Sequence, residues 1–104
     1  MKLPVLAAAA MLSLLAAVPA LAAEHAVEIK GMKFSPANLT VAAGDTITFT
    51  NMDSAPHTAT ATGGAFDTGR LGRGDSATVT INAAGSFDYI CSIHPRMKGT
   101  VTAQ

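Results

Sequence analysis

The chain has 104 residues, and its seven Lys and Arg side chains are balanced by seven Asp and Glu side chains. This length allows a single domain. The balanced charge lacks the basic excess that nucleic-acid-binding proteins carry, so no nucleic-acid partner is expected. Hydrophobic residues make up 49% of the sequence, and many of them lie in the first 22 residues. The composition therefore separates an apolar N-terminal segment from a more polar remainder.

The N-terminal segment has the features of a secretory signal peptide. Lys2 supplies the positive charge, residues 3–18 are almost wholly apolar, and Ala20-Leu21-Ala22 matches the small-x-small cleavage pattern. The apolar run is shorter than the about 20 residues that a membrane-spanning helix needs. We therefore expect residues 1–22 to be removed and residues 23–104 to form one exported, periplasmic domain, with no membrane insertion after cleavage.

Short strands account for the rest of the sequence. Alternating apolar and polar positions, rich in β-branched and aromatic residues, predict strands separated by turns that contain Gly, Pro, Asn and Asp. Turn signals every about eight to twelve residues are typical of a β-sandwich, and no segment indicates a helix. The predicted class is an all-β sandwich of seven to eight strands. The predicted strands are residues 26–30, 32–34, 39–41, 46–50, 57–62, 76–82, 87–91 and 98–103.

One stretch combines three side chains that bind soft metals. In Cys91-Ser92-Ile93-His94-Pro95-Arg96-Met97, a thiol, an imidazole and a thioether recur at three-residue spacing. A Cys with two His and a weak axial Met is the ligand set of blue-copper sites. The second His must come from elsewhere, and His25 and His57 remain. Because Cys91 is the last residue of one predicted strand and His57 is the first residue of another, loops at one end of a sandwich can bring those two together.

The single cysteine supports a metal site. Cys91 has no partner for an internal disulfide, and an unpaired thiol in an exported chain requires an explanation. Coordination to a metal provides one, and the alternative is that Cys91 acts as a small buried hydrophobe. A structural zinc site fits less well, since zinc takes Cys, His and carboxylate ligands and has little use for a thioether.

The sequence resembles the cupredoxins, on the branch of amicyanin, pseudoazurin and plastocyanin. The short ligand loop is similar to that of amicyanin, whereas the loops of plastocyanin and azurin are longer. The resemblance implies a Greek-key β-sandwich with one type 1 copper ion, in which His57, Cys91 and His94 are the strong ligands and Met97 is the weak axial ligand. The segments that carry the resemblance are residues 32–36, 41–47, 51–58, 85–89 and 91–99.

The resemblance also implies a function. Such a protein shuttles single electrons between transient redox partners (a dehydrogenase, a cytochrome or an oxidase), as a monomer, through an apolar patch around His94 with Met52, Pro56 and Pro95 as candidates. The alternative is a copper carrier, delivery or storage protein on the same fold, although the five Met residues form no Met-rich run. An enzyme is not expected, because three His cannot supply additional copper centres.

Thr58 and His25 need separate interpretations. Asn commonly follows the first His ligand in the family, but Thr58 stands there in this chain. We expect the Thr58 backbone N–H to donate to the Cys91 sulfur and its hydroxyl to act as a shorter tether between the ligand loops. His25 would be the third residue of a chain cut after Ala22. It is either a Cu(II) ligand together with the free amine or, as we favour, an ordinary exposed side chain near a frayed terminus.

Overall fold

The computed structural model describes residues 21–104, and these residues form an all-β fold. This part of the chain contains no helix, and therefore none that is long and apolar enough to cross a membrane. The predicted Greek-key sandwich is confirmed, whereas the predicted signal peptide lies outside the described residues except for Leu21 and Ala22. The eight strands are β1 Glu24–Ile29, β2 Phe34–Ser35, β3 Asn38–Val41, β4 Thr46–Asn51, β5 Thr60–Ala61, β6 Ser76–Thr80, β7 Gly85–Ile90 and β8 Lys98–Ala103.

The strands form two four-stranded sheets. The first sheet has the order β2-β1-β4-β6 and the second has the order β3-β8-β7-β5. Each sheet contains one parallel pair, β1 with β4 and β3 with β8, and its other pairs are antiparallel. A tight hairpin cannot join parallel neighbours, so the chain crosses from one sheet to the other between them. These crossovers place several connecting loops together at one end of the sandwich.

The core lies between the sheets and is built from alternate residues of each strand. Val27, Ile47 and Phe49 of the first sheet are fully buried, as is Val101 of the second. Four aromatic rings pack against one another at the centre with centroid separations from 4.6 to 6.5 Å: Phe34, Phe49, Phe66 and Tyr89. The alternation of β7 continues past its end and points the thiol of Cys91 inward, as the sequence predicted.

Two predicted strands are wrong in their extent. The predicted strand 32–34 shares only Phe34 with β2, because the chain turns through positive φ at Gly31 and Met32 and its pairing with β1 begins at Phe34.

The other is the predicted strand 57–62. Regular pairing in residues 57–62 is limited to β5, and His57 forms only an isolated bridge with Leu71. The backbone groups between them have other partners, because the Thr58 N–H points to the Cys91 sulfur and the Ala59 N–H donates to the Thr68 hydroxyl. The backbone of this segment is therefore used to build the end of the sandwich instead of extending the sheet.

Gly99 of β8 supplies a test of core packing. It is paired with Tyr89, and the tyrosine ring occupies the space that a side chain at position 99 would need. We expect Gly99→Ala to lower the free energy of unfolding by about 1–3 kcal/mol through overpacking, measured by urea denaturation. Gly63→Ala is the matched control, since a Cβ there has no heavy atom within 4 Å. Equal stabilities of the two variants would contradict this account of the core.

Candidate metal centre

Three of the four predicted ligand residues converge at one end of the sandwich. The Sγ atom of Cys91 lies 3.7 Å from Nδ1 of His57 and 3.8 Å from Nδ1 of His94. One ligand atom from each of the three residues lies within 4.8 Å of the other two. Atoms at this spacing are able to share a single metal ion. The predicted fourth residue, Met97, is buried with 5% exposure.

The loop after β7 is closed on itself by backbone hydrogen bonds. The Met97 N–H donates to the His94 carbonyl at 3.0 Å, and the Cys91 N–H donates to the Met97 carbonyl at 3.1 Å. These two backbone hydrogen bonds close the loop into a defined turn. The sequence spacing C-x2-H-x2-M therefore corresponds to one compact turn that carries three of the proposed ligands.

Asn51, at the end of β4, builds the loop that carries His57. Its side-chain amide is fully buried and donates to the carbonyls of Ala55 and Leu71, both at 2.9 Å, while its Oδ1 accepts the Asp53 N–H. His57 is held to the same Leu71 by two backbone hydrogen bonds of 2.7 and 3.1 Å. The sequence reasoning missed this role of Asn51. The sequence indicates it only by placing an Asn at the end of an alternating strand.

Asp53 sets the orientation of the His57 ring. Its Oδ2 lies 2.9 Å from Nε2 of His57, whose side chain is fully buried. The same carboxylate accepts the N–H groups of Met32 and Gly31, and these bonds, followed by the His57 ring, lower the pKa of Asp53. This acceptor at Nε2 holds the ring with its other nitrogen, Nδ1, turned towards the Cys91 sulfur, where Nδ1 would serve as the metal-binding atom.

The sequence reasoning also missed Asp53. The available signal was a carboxylate four residues before a candidate ligand His, and that spacing has no special meaning in a loop until the loop geometry is known.

The environment of Cys91 favours its thiolate. Burial alone would raise the pKa of this thiol, but hydrogen bonds from the Thr58 backbone, His57 and His94 outweigh burial and lower the pKa to about 6. The Thr58 N–H donates to Sγ across 3.4 Å, as the sequence predicted. The thiolate is the form of cysteine that binds metals, so the protein prepares this side chain for that role.

The Thr58 hydroxyl ties the two ligand loops together. It accepts the Ser92 N–H at 2.8 Å, and its oxygen lies 3.0 Å from the Ser92 hydroxyl. The predicted tether in place of the usual Asn is confirmed. Ser92, which the sequence reasoning did not single out, is its partner, so the residue after His57 is joined to the residue after Cys91.

His94 is the part of the cluster nearest the surface. It is partly exposed, and it lines an open depression together with Met32, Ile93, Pro95, Arg96 and Met97. Met32 and Ile93 are exposed large hydrophobic residues, at 44% and 38%. The predicted patch residues Met52 and Pro95 are also exposed, whereas Pro56 is half-buried.

The remaining histidine does not join the cluster. His25 lies in β1, and its Nε2 is 2.9 Å from Oδ2 of Asp45. The expectation of a frayed terminus is wrong, because Glu24 and His25 are paired in register with β4. Of the two histidines that the sequence left open as the second ligand, the structure therefore places His57 beside Cys91.

The Thr58 tether supplies a second test. We expect Thr58→Val, which keeps the side-chain shape and removes the hydroxyl, to lower the free energy of unfolding of the metal-free protein by about 1–3 kcal/mol, because the Ser92 N–H loses its acceptor. Thr102→Val on the exposed side of β8 is the control and should stay within about 0.5 kcal/mol of the parent. If urea denaturation gives the same midpoint for both variants, the tether has no energetic role.

The amino-acid sequence of the chain is similar to those of known proteins. A family model described as a cupredoxin-like domain matches residues 3–103. Amicyanin-alpha of Methylorubrum extorquens is 34% identical over 83 residues, which span 75% of this chain and 70% of that relative. Amicyanin of Paracoccus versutus is 35% identical over 88 residues, which span 75% of this chain. The match covers 63% of that relative, less than two thirds of its length.

Solved structures with a similar fold include amicyanin and other copper proteins. The Cu(I) form of an amicyanin methionine mutant superposes with a TM-score of 0.73 and 30% identity, covering 78% of this chain and 82% of that one. A purple cupredoxin from Nitrosopumilus maritimus gives a TM-score of 0.70 and 30% identity, with 77% and 99% covered. A copper-containing nitrite reductase from Thermus scotoductus gives 0.71 and 31%, with 85% of this chain but 23% of the enzyme covered. The chain belongs to the cupredoxin-like family, near its amicyanin branch.

Proposed function

We propose that this protein is an exported electron carrier that holds one copper ion between His57, Cys91, His94 and Met97 and passes single electrons between redox partners. The observation that carries the proposal is the approach of two imidazole Nδ1 atoms to one buried thiol, at 3.7 and 3.8 Å, at the loop end of the sandwich. Export is supported by the signal-peptide pattern of residues 1–22 and by the lone cysteine.

The donor set fits copper. Thiolate and thioether ligands are soft and favour Cu(I), whereas imidazole suits both oxidation states. A thioether has little use in a zinc site, so Met97 favours copper over zinc. Bound copper would supply a one-electron couple between Cu(I) and Cu(II). Cys91 would contribute the strong thiolate donor and Met97 the weak axial donor.

The protein holds the donor atoms in place by itself. His57 is fixed through Asp53 and its bridge to Leu71, and the Cys91 loop is fixed through the Thr58–Ser92 bonds. Because these contacts are made by the protein and not by the ion, we propose that they are kept in both oxidation states of a bound ion. A site that does not rearrange suits electron transfer, since little reorganisation then accompanies each electron.

The surface around His94 supports transient docking. The His94 edge lies among exposed apolar side chains, Met32 and Ile93, and this small area suits the weak encounters typical of redox partners. Arg96 lies on the rim of the same depression. A rim charge changes association rates more than affinity, so we propose that Arg96 steers partners with acidic surfaces, such as a dehydrogenase, a cytochrome or an oxidase, onto a monomeric carrier.

Two alternatives receive less support. A copper delivery protein needs ligands that exchange metal readily, but the side chains of His57 and Cys91 are fully buried. A copper enzyme needs further metal centres or an open coordination position. The sequence contains three histidines, and the imidazole of His25 is bonded to Asp45. We therefore propose electron transfer without a catalytic role.

Voltammetry in the presence of a Cu(I) chelator separates carriage of electrons from delivery of copper. We expect the copper-loaded protein to give one reversible one-electron wave and to retain its metal through repeated cycles with the chelator present. Cys91→Ser should lose the reversible wave, and Thr102→Val should keep it. Loss of copper to the chelator within the first cycles would contradict the electron-carrier proposal and favour delivery.

The contact between Asp53 and His57 predicts an effect on the reduction potential. Asp53→Asn keeps the shape and one of the two acceptor oxygens but removes a negative charge next to a proposed ligand, so we expect a higher potential and a copper affinity about tenfold lower. Asp88→Asn, on an exposed carboxylate of β7, should change neither. An unchanged potential in Asp53→Asn, measured by redox titration, would show that this carboxylate does not act on the metal through His57.

A further inference from the structure

A buried carboxylate far from the metal centre collects three nitrogen donors. Asp45 is 4% exposed and lies in the turn before β4. Its Oδ1 accepts the backbone nitrogen of Ala23 at 2.9 Å. Its Oδ2 accepts the Ala42 N–H at 2.9 Å and lies 2.9 Å from Nε2 of His25. Donors from the start of β1 and from the turn after β3 therefore meet on one side chain.

Backbone hydrogen bonds hold both sides of this contact. The Thr46 N–H donates to the Ala23 carbonyl at 3.0 Å, which fixes residue 23 against β4. The Asp45 N–H donates to the Ala42 carbonyl at 3.0 Å, and the Asp45 carbonyl accepts the Ile81 N–H at 2.9 Å. The carboxylate and the Ala23 nitrogen are thus positioned by the sandwich itself and not by flexible side chains.

The nitrogen that meets Asp45 is the one that signal removal would change. A cut between Ala22 and Ala23 turns the Ala23 amide nitrogen into an α-ammonium group, with a positive charge and additional protons. We propose that Asp45 is the receptor for this ammonium group, so that removal of the signal peptide completes an ion pair which stabilises the folded carrier. The inference rests on the export that forms part of the proposed function.

The chemistry of the site supports this role. Hydrogen bonds between ionised groups are about twice as strong as those between neutral groups, so the processed terminus binds Asp45 more strongly than the uncut chain does. Hydrogen bonds from Ala23, Ala42 and His25, in that order, lower the pKa of Asp45 to about 2 although burial acts in the opposite direction. The carboxylate is therefore ionised whenever the α-amine is protonated near neutral pH.

The pH range of the effect follows from the two charges. The contribution of Asp45 is fully present above its ordinary value of 3.8 and is lost as the pH falls through about 2. An α-amino group ordinarily titrates at about 7.7–8.0, and an ion pair with a carboxylate raises that value in the folded state. The contribution of the amine is therefore present below about pH 8 and is lost in alkali. His25 is the titratable side chain that also bonds to this carboxylate in the described part of the chain.

The position of the cut matters as well. A chain cut one residue later would begin at Glu24 and would lack the Ala23 nitrogen, so Oδ1 of Asp45 would lose its donor. Only a chain that begins at Ala23 therefore places its α-ammonium group against Asp45.

Defined N-termini test the inference directly. Residues 23–104 contain all eight strands and the whole buried core of the described chain, so a protein that begins at Ala23 retains the sandwich. We would release it from a fusion by a protease that leaves no added residue, and compare it at pH 6 with the same chain acetylated at Ala23. We expect the melting temperature of the free-amine protein to be several degrees higher, and this difference to shrink at pH 10.

Asp45→Asn in both forms completes the comparison and should abolish the difference. Equal melting temperatures for the free and acetylated chains with Asp45 intact would overturn the inference, whether or not Asp45→Asn folds. A difference that persists in Asp45→Asn would overturn it as well.

Export is tested separately by the mass of the protein recovered from the periplasm of cells that express the full chain. A product that begins at Ala23 supports both proposals, and a product that begins at Glu24 overturns the Asp45 inference alone. An uncut chain in the cytoplasm contradicts export, while the defined termini still decide whether Asp45 binds the amine.

Discussion

The buried thiol of Cys91 is the constraint on which the rest of the site depends. A thiolate in a protein interior is costly unless hydrogen bonds or a metal compensate its charge. Here the Thr58 N–H and the two histidine rings surround the sulfur and lower its pKa to about 6. The arrangement requires that the backbone at Thr58 turns away from regular strand pairing. That requirement explains why β5 is short and why His57 is held by a bridge to a loop.

The sandwich and the metal centre are linked through a few polar side chains at one end of the sheets. Asn51 closes the loop after β4, Asp53 orients His57, and Thr58 joins the loops of the two proposed ligand segments through Ser92. All of these bonds join groups of the protein itself. The loss of conformational entropy that orders the site residues therefore accompanies folding. The donor atoms are then already close together when a metal binds.

The sequence predicted more of the fold than of the site's supporting contacts. The alternation of residues 98–103 gave the bounds of β8 correctly, and the pattern around Tyr89 correctly placed the Cys91 thiol inside. Residues 57–62 also alternate, but tertiary contacts of Thr58 and Ala59 replace the sheet pairing there. The alternation of apolar and polar residues predicts which face of a strand is buried. It does not predict the hydrogen-bond partners of the backbone N–H groups.

Candidate site residues could be proposed from the sequence where the chemistry is carried by residue type and spacing. The Cys, His and Met of residues 91–97 form such a pattern. The Thr58 hydroxyl could be assigned as a tether because the family commonly has Asn at this position, directly after the first His ligand. Asp53 and Asn51 were not predictable, because their roles depend on the path of a loop that brings Asp53 back against the ring of His57. The link between Asp45 and Ala23 likewise joins residues far apart in sequence.

The visible absorption spectrum of the protein after addition of one equivalent of Cu(II) shows directly whether Cys91 binds copper as a thiolate together with two histidines. We expect an intense blue band that reductant bleaches and oxidant restores, since a strong thiolate–copper bond absorbs far more than copper with nitrogen and oxygen ligands. Cys91→Ser should abolish the band. A pale or colourless copper complex of the parent protein would show that Cys91 is not a strong ligand and that the protein has no type 1 copper centre.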